Sequence, residues 1–229
     1  MTPFELTLVL WGLWLYYFFM TEKVINHEKL SDKREIIIFI GPEGSGKSTI
    51  ARRLARDLEK PYVTTGDTIR DLAANDPGEL GEKCRAMFAE HAYLDGQTLL
   101  RILVDRFSKE DTRGGFVLDG GLRTLEETVD FLQMLDEADR NMPVTVVLMR
   151  IPGWMSFERL VWGNDPRQRE DDTEEAVLSR LSKYYDQLGR RVGVIENTPS
   201  WMLLHVDATQ DIDKVYREVW EELGLNGKI

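Results

Sequence analysis

A glycine-rich stretch, GPEGSGKST at residues 41–49, contains the first group of residues whose types and spacing suggest chemistry. It follows the spacing G-x-x-x-x-G-K-[ST], which is typical of loops that bind nucleotide phosphates. Glycines allow several backbone N–H groups to point at one anion, and a following helix N-terminus adds partial positive charge. Lys47 is placed to reach the outer phosphates, and the Ser48 hydroxyl is a ligand that Mg²⁺ accepts. We predict a phosphate site, with a plain glycine turn as the alternative.

Three further charged residues follow short apolar runs. Asp119 ends the run GFVLD, and Arg70 and Arg123 lie in the turns TGDTIR and DGGLR. A carboxylate at a strand end is where phosphate-loop enzymes hold Mg²⁺, although a helix cap or turn residue is the alternative. Arginine donates two hydrogen bonds to one phosphate, so we predict that both arginines face the same cleft; a surface salt bridge is the alternative.

A fourth stretch, RLVWGNDPRQREDD at residues 159–172, combines turn-forming residues with arginines. It contains Arg159, Arg167 and Arg169, and Arg180 follows in the next helical pattern. Phosphoryl transfer requires positive charge around the migrating group and exclusion of water, and an arginine-bearing lid supplies both. We predict such a lid here, with a solvated loop as the alternative.

The elements that must position these residues alternate between strand and helix. Apolar runs of strand length lie at 35–40, 62–65, 115–119, 144–149 and 203–207. Helical patterns lie at 47–59, 67–74, 79–90, 97–108, 124–138, 154–161, 173–188 and 211–223. This alternation predicts an α/β fold of the P-loop type, with a parallel five-stranded sheet covered by helices on both faces. Ligands of such folds bind beyond the carboxyl ends of the strands, where the stretches above lie.

The composition limits the classes of protein to which the chain can belong. Its 229 residues suffice for one α/β domain with small appendages. The formal net charge of −11 argues against a nucleic acid as the main partner. A single cysteine, Cys84, excludes a disulfide within the chain and a cysteine zinc site, and we expect it to be buried in a helix. The three histidines are scattered and indicate no metal cluster.

The N-terminal residues 4–20, FELTLVLWGLWLYYFFM, are the most apolar stretch of the chain. As a helix, the run from Leu6 to Met20 would be about 22 Å long, which is short of the roughly 30 Å hydrocarbon core of a membrane. It lacks the features of a signal peptide, and the basic residues that follow it favour a cytoplasmic body. We predict either membrane association, through a short span or an interfacial helix, or a helix packed on its own domain or on a second subunit. Residues 21–34 are predicted to be a polar linker.

Taken together, these stretches resemble the adenylate kinase family of nucleoside monophosphate kinases over about residues 35–224. GPEGSGKST matches the family's phosphate loop, TTGDTIR is similar to its S-T-G-D-x-x-R, and GFVLDGGLRT is similar to its G-F-x-x-D-G-F-P-R-T. ERL with REDDTEEAVLSRLSKYY resembles its E-R-L and R-x-D-D-x-x-E-x-x-x-x-R-L-x-x-Y. The resemblance implies a kinase domain at 35–229, with a helical monophosphate-binding segment at 66–108 and a short lid at 162–172 that lacks the zinc-bearing insertion.

The resemblance also implies roles for individual residues. The residues implied to bind ATP are Gly44, Ser45, Gly46, Lys47, Ser48, Thr49, Arg159 and Gln210. Those implied to bind the monophosphate are Thr65, Gly66, Arg70, Leu94, Gly120, Arg123 and Glu127. The implied catalytic residues are Lys47, Arg123, Arg169 and Arg180, and the implied Mg²⁺ ligands are Ser48 and Asp119. The implied activity is Mg²⁺-dependent transfer of a phosphoryl group from ATP to a monophosphate, with AMP as the expected acceptor. We expect the protein to be a monomer in the cytoplasm.

The sequence departs from the family pattern at three places. The family's F-P is Gly121-Leu122, its arginine four residues after Arg159 is Gly163, and its glutamine four residues after Arg123 is Glu127. The first two departures leave open a membrane-tethered nucleotide-binding protein with little turnover. A P-loop kinase with a non-nucleotide acceptor is a further alternative, against which TTGDTIR argues. A regulatory GTPase would need N-K-x-D, and the sequence does not contain it.

Glu127 bears on the choice of acceptor base. The resemblance implies that the side chain at this position contacts the base. An ionised carboxylate only accepts hydrogen bonds, so it suits the adjacent N–H donors of guanine better than the edge of adenine. GMP is therefore an alternative acceptor. In a second interpretation Glu126 and Glu127 both lie on a solvated helix face, and backbone groups contact the base.

Overall fold

The computed structural model of the chain describes residues 34–90, 94–163 and 173–225, which belong to one compact unit. Several predictions lie outside the described residues. They concern the apolar segment at 1–20, the linker at 21–33, the lid residues 164–172 and, among these, Arg167 and Arg169.

Five strands form one sheet in which every neighbouring pair is parallel. They are β1 (Glu35–Ile40), β2 (Tyr62–Thr64), β3 (Gly115–Asp119), β4 (Val144–Arg150) and β5 (Trp201–Asp207). Their order across the sheet is β2-β3-β1-β4-β5. Parallel neighbours cannot be joined by a tight turn, and this explains why helices separate the strands along the chain.

Eight α-helices lie within the described part of the chain. They are α1 (Lys47–Asp57), α2 (Thr65–Asn75), α3 (Glu79–Glu90), α4 (Gly96–Phe107), α5 (Leu125–Glu137), α6 (Gly153–Val161), α7 (Glu174–Glu196) and α8 (Ile212–Glu222). Five helices follow a residue whose side chain accepts a hydrogen bond from the first turn, namely Thr64, Asp95, Thr124, Thr173 and Asp211. Such caps satisfy backbone donors that a helix start leaves without partners.

Helices cover both faces of the sheet. Ile36, Ile38 and Ile40 are alternate residues of β1, and they pack in one apolar cluster with residues of α4, α5 and α7. Alternate side chains of a strand point to opposite faces, so Ile37 and Phe39 lie on the other face, where they are fully buried. α1 contacts β1 and β3, and α8 contacts α1 and β5, so these two helices cover that second face. The predicted α/β fold with a five-stranded parallel sheet is confirmed.

The carboxyl ends of three adjacent strands bring together residues that are far apart in sequence. β1 ends directly before the loop at 41–46, and Phe39 near its end is paired with Asp119 at the end of β3. Thr64 at the end of β2 is paired with the same Asp119. The phosphate loop, Asp119 and the start of α2 therefore meet at one edge of the sheet.

The largest difference from the predicted elements is in α7. The pattern predicted a helix over 173–188, ending before Gly189, whereas the helix continues through Gly189 and Gly193 to Glu196. Glycine weakens a helix only modestly, by about 1 kcal/mol relative to alanine. The extension buries Arg191 and Ile195, and the packing of these side chains outweighs that cost.

Two other expectations concern burial and membranes. Cys84 lies in α3 and is fully buried, as predicted. Among the helices of the described residues, none has both the length and the apolar character that crossing a membrane requires. The apolar segment at 4–20 is outside those residues, so its predicted membrane contact stays a prediction.

Candidate active site

The phosphate loop adopts a shape that requires glycine at two positions. Gly44 and Gly46 have φ angles of 79° and 80°, in the left-handed region that other residues rarely adopt. A side chain on Gly44 would also come within 2.8 Å of the Ser156 carbonyl oxygen in α6. Gly46 precedes α1, whose first turn contains no acidic residue, so its N–H groups and partial positive charge face the loop. This arrangement fits an anion.

The loop is held by its neighbours rather than by its own residues alone. The Ser156 hydroxyl of α6 donates a hydrogen bond to the Glu43 carbonyl oxygen. Lys47 Nζ lies 3.2 Å from the Pro42 carbonyl oxygen, to which it donates. The lysine side chain therefore folds back over the loop and places its charge above the backbone N–H groups, where a phosphate would be bound.

Asp119 is buried beside the phosphate loop, with 6% of its surface exposed. Its Oδ2 accepts a hydrogen bond of 2.7 Å from the Tyr62 hydroxyl. Its Oδ1 is buried, and no donor among the described residues bonds to it. A buried carboxylate oxygen without a partner is costly, whereas a divalent cation would satisfy it. Asp119 and the exposed Ser48 hydroxyl at the start of α1 thus fit the oxygen ligands that Mg²⁺ prefers.

A cavity of about 380 Å³ lies in front of the loop. Its border includes five cationic side chains, Lys47, Arg123, Arg180, Lys183 and Arg191. This concentration of positive charge stands out in a chain with a formal net charge of −11. The cavity therefore fits the phosphate groups of a nucleotide better than an apolar or cationic ligand.

Two of the predicted arginines, Arg123 and Arg180, border this cavity. Arg180 in α7 lies 3.0 Å from the Glu43 carboxylate of the phosphate loop, measured from its Nε. Arg123 Nε donates a hydrogen bond of 2.6 Å to the Gly120 carbonyl oxygen, so its side chain lies across its own turn. The structure thus brings Lys47, Arg123 and Arg180 together, and the catalytic roles of these residues stay predictions.

The remaining residues predicted to bind the monophosphate lie around α2 and before α4. Thr65 begins α2 and is buried, and Leu94 is half-buried just before α4. Arg70 pairs with Asp67 at 2.6 Å, and its guanidinium lies against Gly66, where an added side chain would come within 3.3 Å of it. Among the described residues, Arg70 does not border the cavity, whereas Arg123 does. The contact of both arginines with one phosphate stays a prediction.

The other side of the phosphate loop is occupied by Arg159. Its guanidinium donates hydrogen bonds to the carbonyl oxygens of Gly44 at 3.3 Å, Ala208 at 3.0 Å and Thr209 at 3.3 Å. Gln210, in the same turn after β5, donates instead to Glu218 of α8 at 2.8 Å. Arg159 thus ties the phosphate loop to the turn after the last strand, which is one wall of the predicted ATP site.

Glu127 has a role that the sequence interpretation missed. It lies in the first turn of α5, and its oxygens accept hydrogen bonds from the backbone N–H groups of Leu122 at 3.0 Å and Arg123 at 2.8 Å. It is 6% exposed while Glu126 is exposed, so the interpretation that placed both on a solvated face is wrong for Glu127. Burial raises the pKa of Glu127. The spacing T-x-x-E at 124–127, a capping box, could have indicated this role. A contact of Glu127 with the base stays a prediction.

Other residues at the site were also missed. Tyr62 holds Asp119, and Lys183 and Arg191 of α7 border the cavity. The spacing of Arg180 and Lys183 on one helix is the only hint of Lys183 in the sequence. Tyr62 and Arg191 bond to residues that are far from them in the sequence, so no local pattern identifies them.

Comparison with known proteins agrees with this site. The family model described as adenylate kinase matches residues 39–197. A curated adenylate kinase of Xanthomonas campestris pv. campestris (strain B100) is 30% identical over 189 residues, which cover 82% of this chain and 98% of that protein. Adenylate kinases of Xylella fastidiosa (strain M23) and Mycobacterium sp. (strain MCS) are each 31% identical, with the same coverage.

The matched region includes the phosphate loop, Asp119, Arg123 and Arg180, which the fold brings to one edge of the sheet. Both the length of the match and the arrangement of these residues indicate a nucleoside monophosphate kinase, a phosphotransferase. This chain belongs to the adenylate kinase family.

Proposed function

We propose that this kinase transfers the γ-phosphoryl group of ATP to AMP, giving two ADP, in a Mg²⁺-dependent reaction. The observation that supports it most is the cavity in which Lys47, Arg123 and Arg180 meet in front of the phosphate loop. The curated relatives carry the name adenylate kinase, which fits the same acceptor.

The proposed reaction needs charge and position from the protein rather than a general base. The phosphate of the acceptor is already an anionic nucleophile, so no proton has to be removed before attack. Lys47 and the N-terminus of α1 hold the phosphates of the donor, and Arg123 holds the phosphate of the acceptor. Arg180, with Arg169 of the predicted lid, neutralises the charge on the migrating group. Mg²⁺, held by Ser48 and Asp119, would supply further charge neutralisation when bound.

Positioning accounts for much of the expected rate. Two bound nucleotides react as one complex, which can contribute about 7–11 kcal/mol of the barrier when their orientation is correct. Hydrogen bonds at the site support this positioning, because Ser156 and Arg159 each bond to the phosphate loop and Tyr62 bonds to Asp119.

A turnover screen tests the proposed function. ATP is supplied with AMP, GMP, CMP, UMP or dTMP, and diphosphate formation is followed with and without EDTA. We expect turnover with AMP, lost in EDTA and restored by Mg²⁺. Faster turnover with GMP would change the acceptor, and ATP binding without turnover of any monophosphate would support the alternative of a nucleotide-binding protein.

We also propose that residues 4–20 contact the inner face of a membrane, because of their apolar and aromatic composition and the basic residues that follow. Deleting residues 1–20 is expected to leave kcat and KM unchanged and to move the protein from the membrane fraction to the supernatant. Cell fractionation of the full-length and truncated chains provides the measurement. A full-length protein found only in the supernatant, together with a truncated chain that does not fold, would show that the segment packs on the domain instead.

A further inference from the structure

The turn at residues 120–123 contains a backbone conformation that is unfavourable for one of its residues, Leu122. Leu122 is fully buried and has a φ angle of 54°, in the left-handed region that residues with side chains rarely adopt. Such a conformation persists only where the surrounding structure holds it. The next residue, Arg123, carries its guanidinium to the cavity in front of the phosphate loop. The shape of this turn therefore decides where that charge lies.

Two buried, oppositely charged side chains hold the backbone of Leu122. Its N–H group donates to Glu127 Oε1 at 3.0 Å, and its carbonyl oxygen accepts from Arg191 Nη1 at 2.8 Å. The other oxygen of Glu127 accepts from the Arg123 N–H at 2.8 Å. Glu127 comes from α5 and Arg191 from α7, so the turn is fastened to two helices at once.

Arg191 is an unusual residue to bury, since it is 1% exposed. A buried guanidinium is costly unless its donors are satisfied, and here two of its nitrogens bond to backbone carbonyls while Nε has no hydrogen-bond partner among the described residues. Besides the bond to Leu122, it donates to the Tyr184 carbonyl oxygen at 3.0 Å, and it lies 4.7 Å from the centroid of the Tyr184 ring. Burial lowers the pKa of Arg191, while Tyr184 and, to a smaller extent, the charge of Glu127 oppose this shift. Glu127 and Arg191 are bonded to the two sides of the Leu122 backbone, its N–H group and its carbonyl oxygen.

The hydrogen bonds that Glu127 already makes leave it poorly suited to contact a base. Both of its oxygens already accept backbone N–H groups, and 6% of its surface is exposed. Turning the carboxylate toward a ligand would break the bonds that hold Leu122 and Arg123. It would also leave the buried N–H group of Leu122 and the partly buried N–H group of Arg123 without these partners, and proteins avoid buried donors without partners.

We propose that Glu127 and Arg191 are positioning residues that hold the 120–123 turn so that Arg123 meets the acceptor phosphate, and that Glu127 does not select the acceptor base. This inference rests on the proposed function, because it assigns the acceptor phosphate to Arg123.

Two variants and one control test the proposal. Arg191→Met removes the bond to the Leu122 carbonyl while keeping a long apolar side chain. Glu127→Gln keeps nearly the same shape but replaces one acceptor oxygen with a donor. The control is Arg140→Met, since Arg140 is also buried, at 6% exposed, and also donates to backbone carbonyls, those of Lys109, Ala138 and Asp139, away from the cavity.

We expect each of the two variants to raise KM for AMP by about tenfold, the loss that one charged hydrogen bond typically brings, with KM for ATP unchanged. The ratio of kcat/KM for AMP and GMP should stay the same in Glu127→Gln. In the double variant, the rise in KM for AMP should be smaller than the product of the two single rises, because both substitutions loosen the same turn. Arg140→Met should lower the melting temperature without this selective rise in KM.

Amide hydrogen exchange measured by NMR supplies a second readout, independent of turnover. The N–H groups of Leu122 and Arg123 should exchange faster in Arg191→Met and Glu127→Gln, and not in Arg140→Met. Unchanged exchange, or equal rises of KM for ATP and AMP, would overturn the positioning role. A tenfold shift of the AMP to GMP ratio in Glu127→Gln would show a base contact instead. If the wild type turned over no monophosphate, the proposed function would fail, and exchange would still decide whether the pair holds the turn.

Discussion

Replacing Lys47 with alanine is expected to lower kcat/KM for phosphoryl transfer by about 10²–10³-fold, as the loss of one electrostatic stabiliser typically does. Lys47 Nζ lies over the phosphate loop, near the Pro42 carbonyl oxygen, and it borders the cavity with Arg123 and Arg180. Its charge counts most when the γ-phosphate is being transferred, because negative charge then spreads over the migrating group. A coupled assay for ADP formation provides the measurement.

The fold should survive this change, since Lys47 is half-buried at the first position of α1 rather than in the core. A matched control is Lys214→Ala, which makes the same replacement at an exposed position of α8 and should leave kcat/KM unchanged. Circular dichroism and melting temperature would show that both variants are folded. Near-normal turnover of a folded Lys47→Ala protein would mean that the loop does not hold the donor phosphates.

Replacing Arg180 with alanine is expected to lower kcat by about 10³-fold with little change in KM for either nucleotide, the loss typical of an arginine that stabilises the transferring phosphoryl group. Arg180 lies at the phosphate loop, 3.0 Å from the Glu43 carboxylate, and borders the same cavity. Arg180→Lys should recover part of the rate, because it restores the charge but not the planar pair of donors. Initial rates at varied ATP and AMP separate kcat from KM.

A control on the same helix distinguishes this role from a general effect on α7. Arg190 is exposed and pairs with Asp186 one turn away, at 3.6 Å. Arg190→Ala should leave kcat unchanged. It should also leave the protein folded, since an exposed pair of this kind contributes little to stability. If Arg180→Ala raised KM for both nucleotides and left kcat unaltered, Arg180 would serve binding rather than transfer.

Most of the fold follows from short-range patterns in the sequence. The apolar runs at 35–40, 115–119 and 144–149 coincide with β1, β3 and nearly all of β4, because strands buried on both faces must be apolar throughout. The loop at 41–49 was recognisable for a related reason. Glycines allow backbone N–H groups to bind phosphate, and a lysine and a serine add a charge and a hydroxyl at set spacing. All of these residues lie within nine positions.

The ends of elements were less predictable, because tertiary packing decides them. The sequence pattern predicted a helix that ends at residue 188, yet α7 continues to Glu196. What favours the extension is the burial of Arg191 and Ile195 against other elements. Helix propensity is a weak preference that such packing readily overrides.

The sequence by itself therefore determined the fold class, the phosphate loop and the family, because each rests on residues that are neighbours along the chain. Only the tertiary structure decided how Glu127 and Arg191 hold the turn that carries Arg123, and how Tyr62 holds Asp119. Arg191 is 69 residues from the Leu122 carbonyl that it binds, and Tyr62 is 57 residues from Asp119. Contacts of this kind depend on which helices and strands become neighbours in space, and no local spacing in the chain records that.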